Sequence, residues 1–192
     1  MVSTPAGKAS YPSFFPRGNE VSIEVPDKPG PFLQFIGLPA GNLIATQNLL
    51  WTGESSVSRD GKMLALAAQE PVMGGTYNDS NNMIWIENAN GSDLRMLDGI
   101  EGRTPNWSPH DTLVEFESTR NCTNGNYAIF VEPPTGGNAL QITSCAFNAN
   151  HAVWSPDGRE FAVAVELPNT GNLNQGGWWG IAILRVPFGL VP

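Results

Sequence analysis

Positive charge is scarce in this sequence: ten Lys and Arg stand against eighteen Asp and Glu, for a formal net charge of −8. The ten never gather into a stripe that could follow a phosphate backbone, so nucleic acid is not expected as a partner. Histidine and cysteine are rarer, two of each in 192 residues. His110 and His151 are far apart and no Cys-x-x-Cys occurs, so metal-ligand spacing is missing and zinc is not expected. No apolar run approaches the roughly 18–20 residues of a membrane helix, and no membrane span is expected. Met1-Val2-Ser3-Thr4 does not open a charged-then-apolar secretion signal. No Gly-x-Ser-x-Gly elbow presents a nucleophile. Glu20, Glu24, Glu115 and Glu117 fall on alternating runs, where they are expected to face outward instead of converging on one point. Neither catalysis nor a cofactor is therefore expected.

What the chain does have is turn formers. Its 21 Gly and 16 Pro are spread from end to end, against 41% hydrophobic and only 15% charged residues. That distribution reads as many short strands joined by many turns, not as disorder.

A phrase recurs along it. Val153-Trp154-Ser155-Pro156-Asp157-Gly158-Arg159 steps from an apolar residue into a tight turn, and the apolar run Phe161-Ala162-Val163-Ala164-Val165 follows. The same phrase appears as Asn106-Trp107-Ser108-Pro109-His110-Asp111, as Ser56-Val57-Ser58-Arg59-Asp60-Gly61, and as Ser13-Phe14-Phe15-Pro16-Arg17-Gly18. Aligned on Phe14, Val57, Trp107 and Trp154, the copies lie 43, 50 and 47 residues apart, as loop insertions on one repeated unit would make them. Each copy continues into a third apolar run, and three copies add a Gly-containing turn and a fourth. The expected fold is all-β: a propeller of four four-stranded blades at about residues 11–48, 54–98, 104–145 and 151–187, in a single domain over 1–192. Phe14, Val57, Trp107 and Trp154 are the expected blade core, with both Trp at the start of an inner strand and buried between blades.

The Trp-Ser-Pro-Asp-Gly phrase, the apolar strand after it, the Tyr127-Ala128-Ile129-Phe130-Val131 type of strand and the Gly136-Gly137-Asn138 turn together resemble the TolB-like, or WD40-like (PD40-type), propeller repeat. Arg59 in place of Pro, His110-Asp111 in place of Asp-Gly, and Phe14-Phe15 in place of Trp-Ser depart from it. The resemblance implies the propeller, while propellers host unrelated functions.

The fourth copy lacks a turn leading into a fourth strand. Residues 2–10, with Val2, Ser3, Thr4, Ala6 and Lys8, precede the first turn phrase where other copies end a fourth strand, and are expected to complete the last blade. The donor is either the same chain, closing a ring, or a neighbouring copy, propagating a filament.

Cys122 follows the second strand of the third blade and Cys145 ends its fourth, so both fall at one edge; a disulfide and two free thiols both fit. A bond would place the protein outside the cell or on its surface, or in a periplasm. Asn78, Asn90, Asn106 and Asn121 open glycosylation sequons, with Asn78 and Asn121 the loop candidates. Residues 77–82 are rich in oxygen ligands but lack the closing Glu of a calcium loop and read as a solvated loop. Trp178 and Trp179 form an aromatic pair suited to a sugar ring or a partner surface, or to packing between blades. Two functional readings follow: a structural subunit that self-assembles by strand exchange, and a TolB-like or lectin-like module that binds another protein or a glycan.

Overall fold

The computed structural model describes residues 10–25, 31–47, 50–71, 75–167 and 178–187. They form four antiparallel sheets in chain order. The first joins β1 (Ser10–Phe14), β2 (Glu20–Val25), β3 (Phe32–Gly37) and β4 (Asn42–Gln47). The second joins β5 (Trp51–Val57), β6 (Met63–Gln69), β7 (Met83–Asn88) and β8 (Arg95–Glu101). β9 (Arg103–Trp107), β10 (Val114–Ser118), β11 (Ala128–Glu132) and the two-residue β12 (Leu140–Gln141) make the third. β13 (Asn150–Trp154), β14 (Glu160–Leu167) and β15 (Trp178–Arg185) make the fourth, which has three strands among the described residues, not four. Val2, Ser3, Thr4, Ala6 and Lys8 lie outside the described residues. Ser10 opens β1, opposite Glu24 of β2, and so belongs to the first sheet and not to the last.

The repeated phrase sets the hairpin register. Phe14, Val57, Trp107 and Trp154 each pair with the residue seven positions on, namely Val21, Leu64, Val114 and Phe161. The serine after the core residue explains why: the Oγ of Ser58, Ser108 and Ser155 accepts from the backbone N–H of Met63, Leu113 and Glu160, holding the turn closed. The last turn residue needs a positive φ, which Gly18, Gly61 and Gly158 supply. Asp111 takes that place in the third turn at φ 58°, and its carboxylate accepts from the N–H groups of Arg59 (2.6 Å) and Asp60 (2.9 Å) in the neighbouring turn. The two Trp therefore end their inner strands rather than begin them.

Each sheet has a rear face toward the preceding sheet and a forward face toward the next. Leu33 and Phe35 on the forward face of the first pack on Leu64, Leu66 and Trp85 of the second. Ala65, Ala67, Ile84 and Ile86 on the forward face of the second pack on Trp107, Val114, Phe116 and Phe130 of the third. Ile129 and Val131 of the third meet Trp154, Phe161, Val163 and Val165 of the fourth. Burying apolar area on both faces of the middle sheets is the main force holding the array. Trp107 and Trp154 are buried in these joints and Val57 is half-buried in the first. Phe14 holds the same register but is 64% exposed, since none of the sheets among the described residues packs on it.

Candidate functional site

Every inner strand breaks register once, between Ser10 and Ser13, Thr52 and Ser55, Arg103 and Asn106, and Asn150 and Val153. These are bulges at one common depth, and a bulge swings side chains out of the pleat. Tyr11 (φ 48°), Thr104 (φ 50°) and His151 (φ 51°) adopt the left-handed region there, a strained choice for side chains of their size. In the second sheet the bulge carries Gly53, where a Cβ would run into the Tyr77 hydroxyl. Together the four bulges line an axial cavity of about 280 Å³ that includes Tyr11, Glu54, Thr104 and His151.

A bulge takes backbone N–H groups out of the ladder, and buried ones must be satisfied elsewhere. Carboxylates do this. Glu54 Oε2 accepts from the Thr104 N–H at 3.0 Å, and Glu117 Oε1 accepts from the His151 N–H at 2.5 Å. Glu117 also takes Arg103 Nε on Oε2 at 2.7 Å, while Arg103 Nη2 donates to Asn150 Oδ1 at 2.7 Å. The Arg103 guanidinium lies 3.7 Å above the Tyr127 ring, a cation–π contact that fixes its plane. The His151 ring stands mostly in solvent, with Nδ1 3.6 Å from Glu117. Beside this cluster opens a cleft of about 460 Å³ lined by Arg103, Tyr127, Asn148, Asn150 and Trp179. Asn148 is held by Glu166, which accepts from its Nδ2 at 2.8 Å, and by the Tyr127 N–H, which donates to its Oδ1 at 3.0 Å.

Glu115 and Glu117 thus contradict the outward placement expected of them: they are 1% and 0% exposed, and Glu24 is buried too. They lie on the forward face of β10, which the fourth sheet covers. Burial pushes the Glu115 carboxyl well above its ordinary value, and the neighbouring Glu117 adds to that push. Arg103, Glu117 and His151 form a site that the turn phrase does not point to. Its signal is Pro12 and Pro105, two residues before the repeat aromatic: proline inside a strand belongs at an edge or a bulge.

Of the other candidates, Cys122 and Cys145 form a disulfide with Cα atoms 5.4 Å apart. Cys145 lies in a short 3-10 turn, Cys145–Phe147, and not at the end of a fourth strand. The bond belongs to an oxidising, non-cytoplasmic compartment. Asn78 and Asn121 are exposed on loops; the Asn78 carboxamide accepts from the Ser80 N–H within its own loop. The Trp178 side chain lies outside the described residues, whereas Trp179 is exposed and lines the cleft. Among the described residues no group of three or more His, Cys, Asp or Glu stands close enough to hold a metal ion, and no helix is long and apolar enough to cross a membrane.

No family model and no curated protein matches the sequence. Solved structures do match the fold. TolB from Acinetobacter baumannii superposes with a TM-score of 0.67 at 18% identity, over 93% of this chain and 41% of TolB. Hydrazine synthase from Kuenenia stuttgartiensis gives 0.64 at 14% identity, over 94% and 51%. The propeller domain of the trilobed protease from Pyrococcus furiosus, described as having an open velcro topology, gives 0.60 at 12%, over 92% and 54%. The chain thus spans about half the length, or less, of these proteins. Four consecutive sheets, joined face to face around inner strands that line one cavity, give this chain the β-propeller fold shared by TolB and other WD40-like propellers.

Proposed function

We propose that the chain is a non-catalytic, extracytoplasmic propeller module that binds a protein or glycan partner at the mouth of its axial cavity. The carrying observation is the cleft itself, whose lining combines the exposed aromatic ring of Trp179 with the fixed polar groups of Arg103, Asn148 and Asn150. An aromatic ring together with prealigned donors and acceptors suits a partner with both apolar and polar contacts, and because the polar groups are held in place by hydrogen bonds, binding costs little ordering. The carboxylates near the cavity hold backbone N–H groups and Arg103, which gives them a structural task in place of acid–base work. The likeness to TolB supports the same reading at the level of fold. The test probes immobilised peptide and glycan libraries with the intact chain and with Trp179→Ala. Hits that vanish with Trp179→Ala support the mouth as the binding face; hits that the substitution leaves unchanged overturn it.

A second reading has its own observation: β15 is eight residues long and its outer edge is unpaired among the described residues. An open edge is a template for strand addition. In this reading residues 2–10 fill it, from the same chain or from another copy, and the latter makes a self-assembling extracellular filament. Deleting residues 1–9 and measuring mass under native conditions decides it: loss of a polymer supports donation between copies, and an unchanged assembly refutes it.

A further inference from the structure

The outer strands of the first two sheets are full length: β4 has six residues and β8 seven, whereas β12 of the third sheet has two. Leu140 and Gln141 pair with Val131 and Phe130 of β11. Beyond them the ladder gives way to single contacts. The Ile142 N–H donates to the Ile129 carbonyl at 2.7 Å, and the Ile129 N–H is met by a side chain, the Thr143 hydroxyl, at 2.9 Å. A blade edge held by so few bonds opens locally at low cost, because each hydrogen bond adds little net stability.

The disulfide stands at this truncated edge. It ties the turn Cys145–Phe147 to the loop between β10 and β11, in the place where a longer ladder holds the outer strand of the first two sheets. The same short segment carries Asn148, in the left-handed region at φ 40° and ψ 61°. Its carboxamide joins two sheets: it accepts from the Tyr127 N–H beside β11 and donates to Glu166 on β14. Asn126 Nδ2 donates to the Cys145 carbonyl at 2.9 Å, so the cysteine and this clasp are held in one unit. Both cysteines are half-buried, and Asn121, Thr123, Ser144 and Ala146 beside them are exposed, which gives a small dithiol an approach.

We infer that the Cys122–Cys145 bond is a redox latch: its reduction by a dithiol frees residues 142–148 and releases the Asn148 clasp between the third and fourth sheets, while the sheets stay folded. A thiolate of the reductant attacks one cysteine sulfur and forms a mixed disulfide, and the other cysteine leaves as a thiolate. The reductant's second thiolate then breaks the mixed disulfide. Two electrons pass to the cysteines, which take up two protons and end as thiols, and the dithiol ends as a disulfide. Once freed, the segment must be ordered by its separate hydrogen bonds alone, against the entropy that the crosslink had removed. Asn148 lines the cleft, but the latch stands apart from the reading of that cleft as a binding site and is read out without any partner.

Hydrogen exchange on the intact chain, with and without dithiothreitol, tests this. The reporter amides are Tyr127, Ile129 and Ile142, whose N–H groups bond Asn148, Thr143 and Ile129. Reduction is expected to speed their exchange by roughly tenfold or more relative to the amides of β6 and β7, through an opening that low urea does not accelerate. Oxidised glutathione then restores the slow rates, and the double variant Cys122→Ser, Cys145→Ser exchanges fast with or without dithiothreitol. In the oxidised protein Asn148→Ala speeds the Tyr127 amide and leaves Ile129 slow, which separates the clasp from the crosslink. Four results each overturn the inference: reporters that change only in step with β6 and β7, a far-UV circular dichroism spectrum lost on reduction, rates that reoxidation does not restore, or a Tyr127 amide that stays slow in Asn148→Ala.

Discussion

A carboxyl group that is enclosed without a cation must give up its charge, and the protein then becomes sensitive to pH at that residue. Glu87, wholly enclosed on β7, is pushed up by burial to about 7 from 4.5, against a smaller downward pull from Gln47. Its folded value is raised, so below about 4.5 both states hold the proton and no penalty exists. As pH rises toward 7 the unfolded chain ionises first and stability falls, by an amount on the order of 3 kcal/mol. Glu115 acts in the same direction. Glu87→Gln should therefore lose less stability than wild type between pH 5 and pH 8, read from urea midpoints at the two values; an equal loss would refute the assignment. These carboxylates also mark where sequence reading failed. Alternation separates two faces of a strand, but it assumes that one of them is wet, and in a middle sheet both are covered. Hence Glu115 and Glu117, correctly placed on one face, were expected in solvent and are dry.

The inner strands owe their shape to the bulges. Thr104 is β-branched, sits at φ 50°, and has a buried Oγ1 with no hydrogen-bond partner, so it bears both backbone strain and an unmet polar atom. Thr104→Gly should stabilise the fold by up to about 1 kcal/mol, since relief of strain outweighs the added chain entropy; a lower thermal midpoint would count against strain at this position. On the third sheet the Cys122–Cys145 bond closes a loop of 23 residues' separation, and replacing both cysteines with serine should cost about 3 kcal/mol, measurable as a fall in urea midpoint with a steeper slope as the uncrosslinked unfolded chain expands. The hairpins were legible from the repeated serine and the glycine or Asp111 after it, because one local turn dictates each register. The short β12 was not, because a two-residue pairing leaves almost no periodicity to read.

At the scale of the whole molecule, stability is shared between neighbours, as in other arrays of repeats. The second and third sheets are covered on both faces, whereas the fourth is covered on one. Hydrogen exchange at a concentration where the chain is monomeric should protect the amides of β6, β7, β10 and β11 most and those of β15 least; equal protection across all four sheets would mean that the array opens only as a unit. The order of the repeats along the chain could be read from the sequence, since each repeat carries its own turn. Which faces stay open could not, because that depends on what stands beyond the first and last sheets rather than on any residue within them.

The clasp between the second and third turns has a mechanical side. Apolar faces resist being pulled apart but slide over each other at little cost, since dispersion contacts have almost no direction. Asp111 grips two N–H groups of the adjoining turn, and hydrogen bonds to a charged acceptor are both strong and directional. It works as a detent at the rim, sharing with the Glu54–Thr104 bond the task of fixing how far one blade is offset along the axis from the next.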